Sequence, residues 1–285
     1  MKQVPVLWLL WPVLLVLAVF FAAFGYFVAD SFLHQIPGTA MMAGPVSLEN
    51  YRTILGSVLV QRIFVGTLWI SCKITLAATL LGYPLAYLLA RTASARVRQA
   101  ILFLLVVTFL SGGITRAYAW MILLGNNGPI NRSLRDFGYP PLALLNNETG
   151  VLISLVHFVI PFFVLTLFGT IKNIPMALEE AARNLGGRRW RAFTSVTLPL
   201  SLPGLVSAML LTFTVTVSSF LFPLLLGGGR VQMAANLIYD KMENSFDMPV
   251  AATISILFLL VSLVPLSAFS LLRMGLGRRF GGTRR

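Results

Sequence analysis

Long uncharged stretches alternate with short charged segments along the whole chain. Residues 3–29, 149–171 and 248–272 carry no charge, and 63–90 and 99–125 each carry a single cation, Lys73 and Arg116. A helix that crosses a bilayer needs about 20 apolar residues, so each stretch predicts one span. Residues 192–229 are uncharged over 38 positions, too many for one span, so part of that run is expected to be loop. Six spans follow, at about 5–29, 64–90, 100–123, 151–171, 203–226 and 249–272. Strands of a membrane barrel would alternate in units of ~10 residues instead of staying apolar for more than twenty, which excludes that class. The first apolar run is longer than the roughly 7–15 residues of a signal peptide and is expected to remain as an uncleaved anchor.

Composition agrees with the pattern. Hydrophobic residues make up 57% of the 285 and charged residues 11%, against roughly 25% charged in an ordinary soluble domain. A soluble enzyme, a disordered chain and a disulfide scaffold are all excluded, and the one cysteine, Cys72, has no partner for an internal bridge.

Charge then orients the spans. With the N-terminus inside, the inner segments hold 14 cations (Lys2, Arg91, Arg96, Arg98, Lys172, Arg183, Arg188, Arg189, Arg191, Arg273, Arg278, Arg279, Arg284 and Arg285) against two acids, Glu179 and Glu180. The outer segments, counting Arg116 at the membrane edge, hold seven cations and seven acids. Both termini are therefore expected in the cytoplasm. The same asymmetry accounts for the net charge of +13, which then gives no reason to expect nucleic acid as a partner.

Between the spans, Ser47 reads as the N-cap of a short outer helix leading to the second span, and residues 126–147 read as loop with one short helix. No internal repeat or low-complexity segment is visible, and a single domain is expected over 1–285.

The spans lack the groups that chemistry would require. All nine acids lie between them, whereas ion-coupled carriers commonly hold ionisable groups near the midplane. Two histidines, His34 and His157, cannot build the acid–base or metal cluster of an intramembrane enzyme. Gly227-Gly228-Gly229 is followed by Arg230, not by the Lys-Ser/Thr of a phosphate loop. A chain of this kind hydrolyses nothing, and uphill transport would draw its energy from a partner.

The loop between the fourth and fifth spans, 172–201, is the most informative stretch. Pro175 suits a first helical turn, Glu179 and Glu180 complement its positive end, and Leu178, Ala182 and Leu185 fall on one face. Gly186 or Gly187 ends the helix in a left-handed cap. A second short helix carries Trp190, Phe193 and Val196, and Pro199 and Pro203 are expected to stop it before the fifth span. On amphipathicity alone the loop could equally rest on anionic headgroups with its arginines outward.

Its spacing goes further. Glu180-Ala181-Ala182, then Gly186, then Val196-Thr197-Leu198-Pro199 resembles the signature loop of binding-protein-dependent ABC importer permeases, with Val196 in place of the family's isoleucine. Gly82-Tyr83-Pro84-Leu85-Ala86-Tyr87, Arg116-Ala117-Tyr118-Ala119-Trp120, Leu224-Leu225-Leu226-Gly227-Gly228 and Leu237-Ile238-Tyr239 are similar to the spermidine/putrescine-type subfamily.

The resemblance implies an all-α polytopic membrane protein with six transmembrane helices and the small, type I, ABC importer permease fold, in the bacterial inner membrane. It implies a coupling loop in which Glu180, Ala181, Ala182, Gly186, Leu198 and Pro199 serve docking onto an ATPase, with Glu180 at the contact or bracing the turn. The implied partners are a second permease, usually a different chain, two cytoplasmic ATPase subunits and an extracytoplasmic solute-binding protein, with lipid around them. No cofactor is expected on this chain; ATP and Mg would be bound by the ATPase. The solute implied is a small organic molecule, with a polyamine such as spermidine or putrescine as the family default. Against that default, Ser218-Ser219-Phe220-Leu221-Phe222-Pro223 stands where those permeases often carry an acid.

Candidate residues for the route are Lys73, Tyr118, Trp120, Thr212, Thr216, Ser218, Ser219 and Phe222. Each has a plain alternative. The hydroxyls of the fifth span can pack between helices and bond back to carbonyls. Lys73 can snorkel outward, and the aromatics can belong to an interfacial belt. A second class of function also accommodates the sequence: a channel, secondary carrier or scaffold that works without an ATPase, its basic loop touching only lipid.

Overall fold

The computed structural model describes residues 6–35, 42–43 and 45–280, with side chains for 11–35, 45–269 and 271. Lys2, Arg284 and Arg285, used above for orientation, lie outside the described residues. Among the described residues the chain is helical apart from one two-residue hairpin, β1 (His34–Gln35) against β2 (Met42–Ala43), with His34 opposite Ala43. The helices are α1 (Val6–Asp30), α2 (Glu49–Gly56), α3 (Val58–Arg91), α4 (Ala95–Leu110), α5 (Gly113–Leu124), α6 (Pro129–Asp136) and α7 (Glu148–Lys172). They continue with α8 (Met176–Asn184), α9 (Arg189–Ala192), α10 (Leu198–Val217), α11 (Leu221–Leu226), α12 (Ala234–Glu243) and α13 (Met248–Phe280). Among the described residues five helical stretches are long and apolar enough to cross a bilayer, Trp11–Asp30, Val58–Arg91, Glu148–Lys172, Arg189–Val217 and Met248–Phe269, and the bent pair Ala95–Leu110 with Gly113–Asp136 makes up to six if it counts as one span.

The expected span at 100–123 is broken. α4 and the helices after it meet at a bend of 101°. Ser111 and Gly112 adopt extended backbone there, so the apolar run continues while the helix direction does not. The fifth span also differs from expectation. Pro199 and Pro203 do not stop the helix, because Phe193–Thr197 forms a π-turn in which Leu198 N–H bonds to the Phe193 carbonyl. α9, the π-turn and α10 run on as one helical stretch, and the break falls instead at 218–220. Ser47 is one residue off the cap: helix α2 starts at Glu49 after Leu48, yet Glu49 N–H still donates to Ser47 Oγ at 3.1 Å.

The chain divides into two compact units. Residues 1–63 and 234–261 form the first. Within it the turn after α1 is tied down by polar bonds: Asn50 Nδ2 donates to the Ser31 and Leu33 carbonyls at 3.0 and 2.8 Å, and Thr253 Oγ1 to the Ser31 carbonyl at 3.1 Å.

Residues 64–233 and 262–285 form the second unit, built around α7. One half of α7 (Val151, Leu155, Val159) packs with Ile70, Ile74, Ala117 and Phe222. Its other half (Phe163, Leu167, Ile171) packs with Tyr83, Ala86, Leu89, Leu105 and Ala208. Lipid is as apolar as these side chains, so close fit holds membrane helices together, and small residues permit it. Gly204 of α10 is one such residue: a Cβ there would lie 2.5 Å from Thr170 Cβ. α3 has 34 residues, which at 1.5 Å each make it about 50 Å long, well beyond the hydrocarbon core. It delivers Tyr87 and Arg91 to the loop that follows α7.

Candidate functional site: the loop from α7 to α10

Pro175 precedes α8, and Glu179 lies in the first turn. Gly186 ends the helix at φ +85°. Gly186 N–H donates to the Arg183 carbonyl at 3.0 Å and Gly187 N–H to the Ala182 carbonyl at 3.2 Å, the paired bonds of a Schellman turn. Both glycines are needed, for different reasons. Gly186 supplies the left-handed backbone, and a Cβ at Gly187 would come within 2.7 Å of the Ala182 carbonyl.

The faces of α8 are inverted relative to a helix packed on a core. Met176, Leu178 and Leu185 are exposed, Leu185 at 90%, and Trp190 of α9 is 72% exposed. The buried residue is Glu179, at 9% exposure. Its Oε1 accepts from Arg91 Nε at 2.8 Å and from Thr197 Oγ1 at 2.6 Å, and its Oε2 accepts from Tyr87 Oη at 3.2 Å. Arg91 Nη2 lies 2.7 Å from the same Oε1, and Arg91 Nη1 donates to the Ile174 carbonyl at 3.1 Å. Beside this network the rings of Tyr83 and Tyr87 meet Phe193 edge-on at 5.6 and 5.2 Å, and Tyr83 Oη and Ser201 Oγ share a hydrogen bond of 2.7 Å. A cleft of about 580 Å³ opens next to it, walled by Tyr87, Arg91, Glu179, Arg183, Trp190 and Phe193.

Of the residues expected to serve docking, Glu180, Ala181 and Gly186 are exposed on the loop, Ala182 is half-buried, and Leu198 and Pro199 are half-buried at the start of α10. Glu180 makes none of the bracing contacts; Glu179 makes them. The motif spacing points to Glu180 because it counts residues along the chain. The phase of α8 against α3, which buries its neighbour, depends on a helix 88 residues earlier.

The residues proposed for a solute route differ in their surroundings. Lys73 Nζ is 2.6 Å from Glu148 Oε1, at the first turn of α7, and 5.5 Å from the Trp69 ring centre. It therefore reaches a paired acid instead of standing free. Thr212 and Thr216 are fully buried within the chain, and Thr216 Oγ1 bonds back to the Thr212 carbonyl at 2.8 Å. Ser218 and Ser219 lie past the end of α10, Ser218 exposed and Ser219 half-buried. Phe222 is 2% exposed and packs on Phe158 at 5.0 Å, so it belongs to the core, not to a belt or an open wall. Tyr118 is exposed, and Trp120 Nε1 donates to His157 Nδ1 at 3.2 Å. Arg116, counted above at the membrane edge, is enclosed by the fold. It is 8% exposed, its guanidinium carbon stands 4.5 Å from the Phe158 ring centre, and its Nε and Nη1 are buried without a partner.

Comparison with known proteins places this arrangement. Residues 82–274 match the family described as binding-protein-dependent transport system inner membrane component. The spermidine/putrescine transport system permease protein PotB of Haemophilus influenzae is 32% identical over 231 residues, 80% of each chain. PotB of Escherichia coli K12 is 31% identical over 217 residues, 75% of this chain and 78% of its own. The putative 2-aminoethylphosphonate transport system permease protein PhnU of Salmonella typhimurium is 27% identical over 281 residues, covering 96% of this chain and 93% of its own. Among solved structures, a bacterial alginate ABC transporter in complex with its periplasmic protein superposes with a TM-score of 0.77 at 20% identity, over 99% of this chain and 98% of that one. With its family matched from Gly82 to Met274, the whole α7–α10 loop included, the chain belongs to the binding-protein-dependent transport system inner membrane components and is a permease subunit of an ABC importer.

Proposed function

We propose that α8 and the turn at Gly186 form the surface that docks on a cytoplasmic ATPase, and that ATP-driven movement of this surface opens the permease alternately to its two sides. The observation that carries the reading is the inverted α8: a buried carboxylate holds the helix from behind while Met176, Leu178 and Leu185 face out. The spacing from Glu180 to Pro199 supports it. In this reading both termini are cytoplasmic, which the excess of 14 cations over two acids on that side supports, and 1–285 functions as one permease domain. A second permease, two ATPase subunits holding ATP and Mg, and a solute-binding protein complete the importer. This chain itself binds no cofactor and hydrolyses nothing.

The solute is a small organic molecule. A polyamine is the class named for PotB, and it would need carboxylates supplied by the second permease. The apolar runs of this chain hold none, and Glu148 is already taken by Lys73.

Gly186→Arg tests the reading. Its backbone at φ +85° disfavours any side chain, and the added bulk stands on the docking face. Insertion in the membrane should persist, while ATPase docking, or the stimulation of hydrolysis by the binding protein, is lost. Transport and stimulated hydrolysis at wild-type levels would remove the loop from its coupling role.

A further inference from the structure

We infer that Glu179 is the joint through which the coupling loop moves the membrane helices, an inference that rests on the docking role proposed above. α8 offers the bundle no buried apolar side chain; its buried residue is a carboxylate. The bonds of that carboxylate fan out to two transmembrane stretches: Tyr87 and Arg91 at the end of α3, and Thr197 in the π-turn that opens the fifth span. Arg91 closes the circuit by holding the Ile174 carbonyl, where the chain enters α8. A push on the exposed face of α8 thus reaches α3 and α10 together.

The chemistry suits a moving part. Apolar interdigitation resists sliding, whereas one carboxylate can redistribute its bonds among a guanidinium, a phenol and a hydroxyl without leaving an unpaired charge. Charge-assisted bonds are strong and directional, so the load is transmitted and not absorbed. The π-turn adds a second loose element, since its bonds span one residue more than those of an α-helix and such turns recur at functional sites. Without Glu179, Arg91, 11% exposed, would be a buried cation with no acid facing it. Glu179 is therefore a positioning residue. Glu180, one position on, faces out on the docking surface.

The test uses the whole importer in lipid nanodiscs, with Ser219→Cys in a Cys72→Ser background as reporter. The rate of thiol labelling at position 219 is measured with and without ATP plus vanadate, so no solute is needed. The wild type should show a rate change of about tenfold on trapping, within the 5–150-fold range of ordinary allosteric coupling. Glu179→Gln keeps the shape but not the charge: ATPase subunits should still co-purify, and the rate change should fall below about twofold. Glu179→Asp should assemble and respond partially, and the exchange Glu179→Arg with Arg91→Glu should recover more than either single change.

A wild-type response in Glu179→Gln would overturn the joint. So would failure of Glu179→Asp to assemble, since the residue would then serve folding alone. Gly186→Arg separates the two levels. If it loses the ATPase while Glu179→Gln responds normally, only the joint falls. If it keeps both ATPase and response, or if the wild type shows no ATP-dependent change, the docking role falls with it.

Discussion

Replacing Arg116 by methionine removes a charge that the folded chain leaves unpaired. Nε and Nη1 are buried with no partner, and the residue is 8% exposed. Taking an ion out of water in a real protein costs several kcal/mol. The guanidinium carbon at 4.5 Å from the Phe158 ring centre offsets about 2 kcal/mol of that. The remaining penalty, about 1–3 kcal/mol, disappears when a flexible thioether fills the same slot. At about 2–4 °C per kcal/mol for chains of this size, Arg116→Met should melt about 2–12 °C above the wild type. Thermal unfolding of the isolated subunit in detergent, followed by intrinsic fluorescence, measures this directly. Arg116→Lys keeps the charge and should show no gain. A lower midpoint for Arg116→Met would refute the reasoning, because it would mean that the guanidinium is satisfied within the subunit.

The fold and the charge pattern give three further outcomes. Gly204→Ala places a methyl group against Thr170 at the α7–α10 contact and should cost about 1–3 kcal/mol, read as a lower melting midpoint. Ser219→Trp should block uptake while co-purification with the ATPase is kept; unimpaired uptake would remove Ser219 from the route. In a Cys72→Ser background, Ala95→Cys and Arg188→Cys should be shielded from an impermeant thiol reagent applied outside, and Arg132→Cys and Lys241→Cys should be labelled. Labelling of position 188 from outside would reverse the orientation.

Much of the α7–α10 loop is legible in the sequence because its determinants are local. A left-handed cap needs Gly186, and the helix start needs Pro175 and an early acid, all within a dozen residues. The anchors of that loop are not legible, because they are distant in sequence. Glu179 finds Arg91 across 88 residues and Lys73 finds Glu148 across 75. Charge gaps locate apolar runs but not their direction, so they do not reveal the bend after Leu110, although Ser111-Gly112-Gly113 sits inside the run. Pro199 and Pro203 predict a stop that the helix does not make. The π-turn before them shifts the bonding register, and that depends on how Thr197 and Phe193 pack against Glu179, Tyr83 and Tyr87. A helical period sets Thr212, Thr216 and Ser219 on one face of the fifth span, but α10 ends at Val217, before Ser218 and Ser219.

The central claim is that this permease moves solute only when an ATPase acts on the α7–α10 loop. The most direct measurement is flux in proteoliposomes of radiolabelled putrescine, the polyamine class proposed above. The permease pair would be reconstituted with the solute-binding protein, and the ATPase subunits added or withheld. Uptake that appears only with the ATPase and ATP is the predicted result. Uptake at the same rate with the ATPase withheld would contradict it and make the chain a channel or secondary carrier.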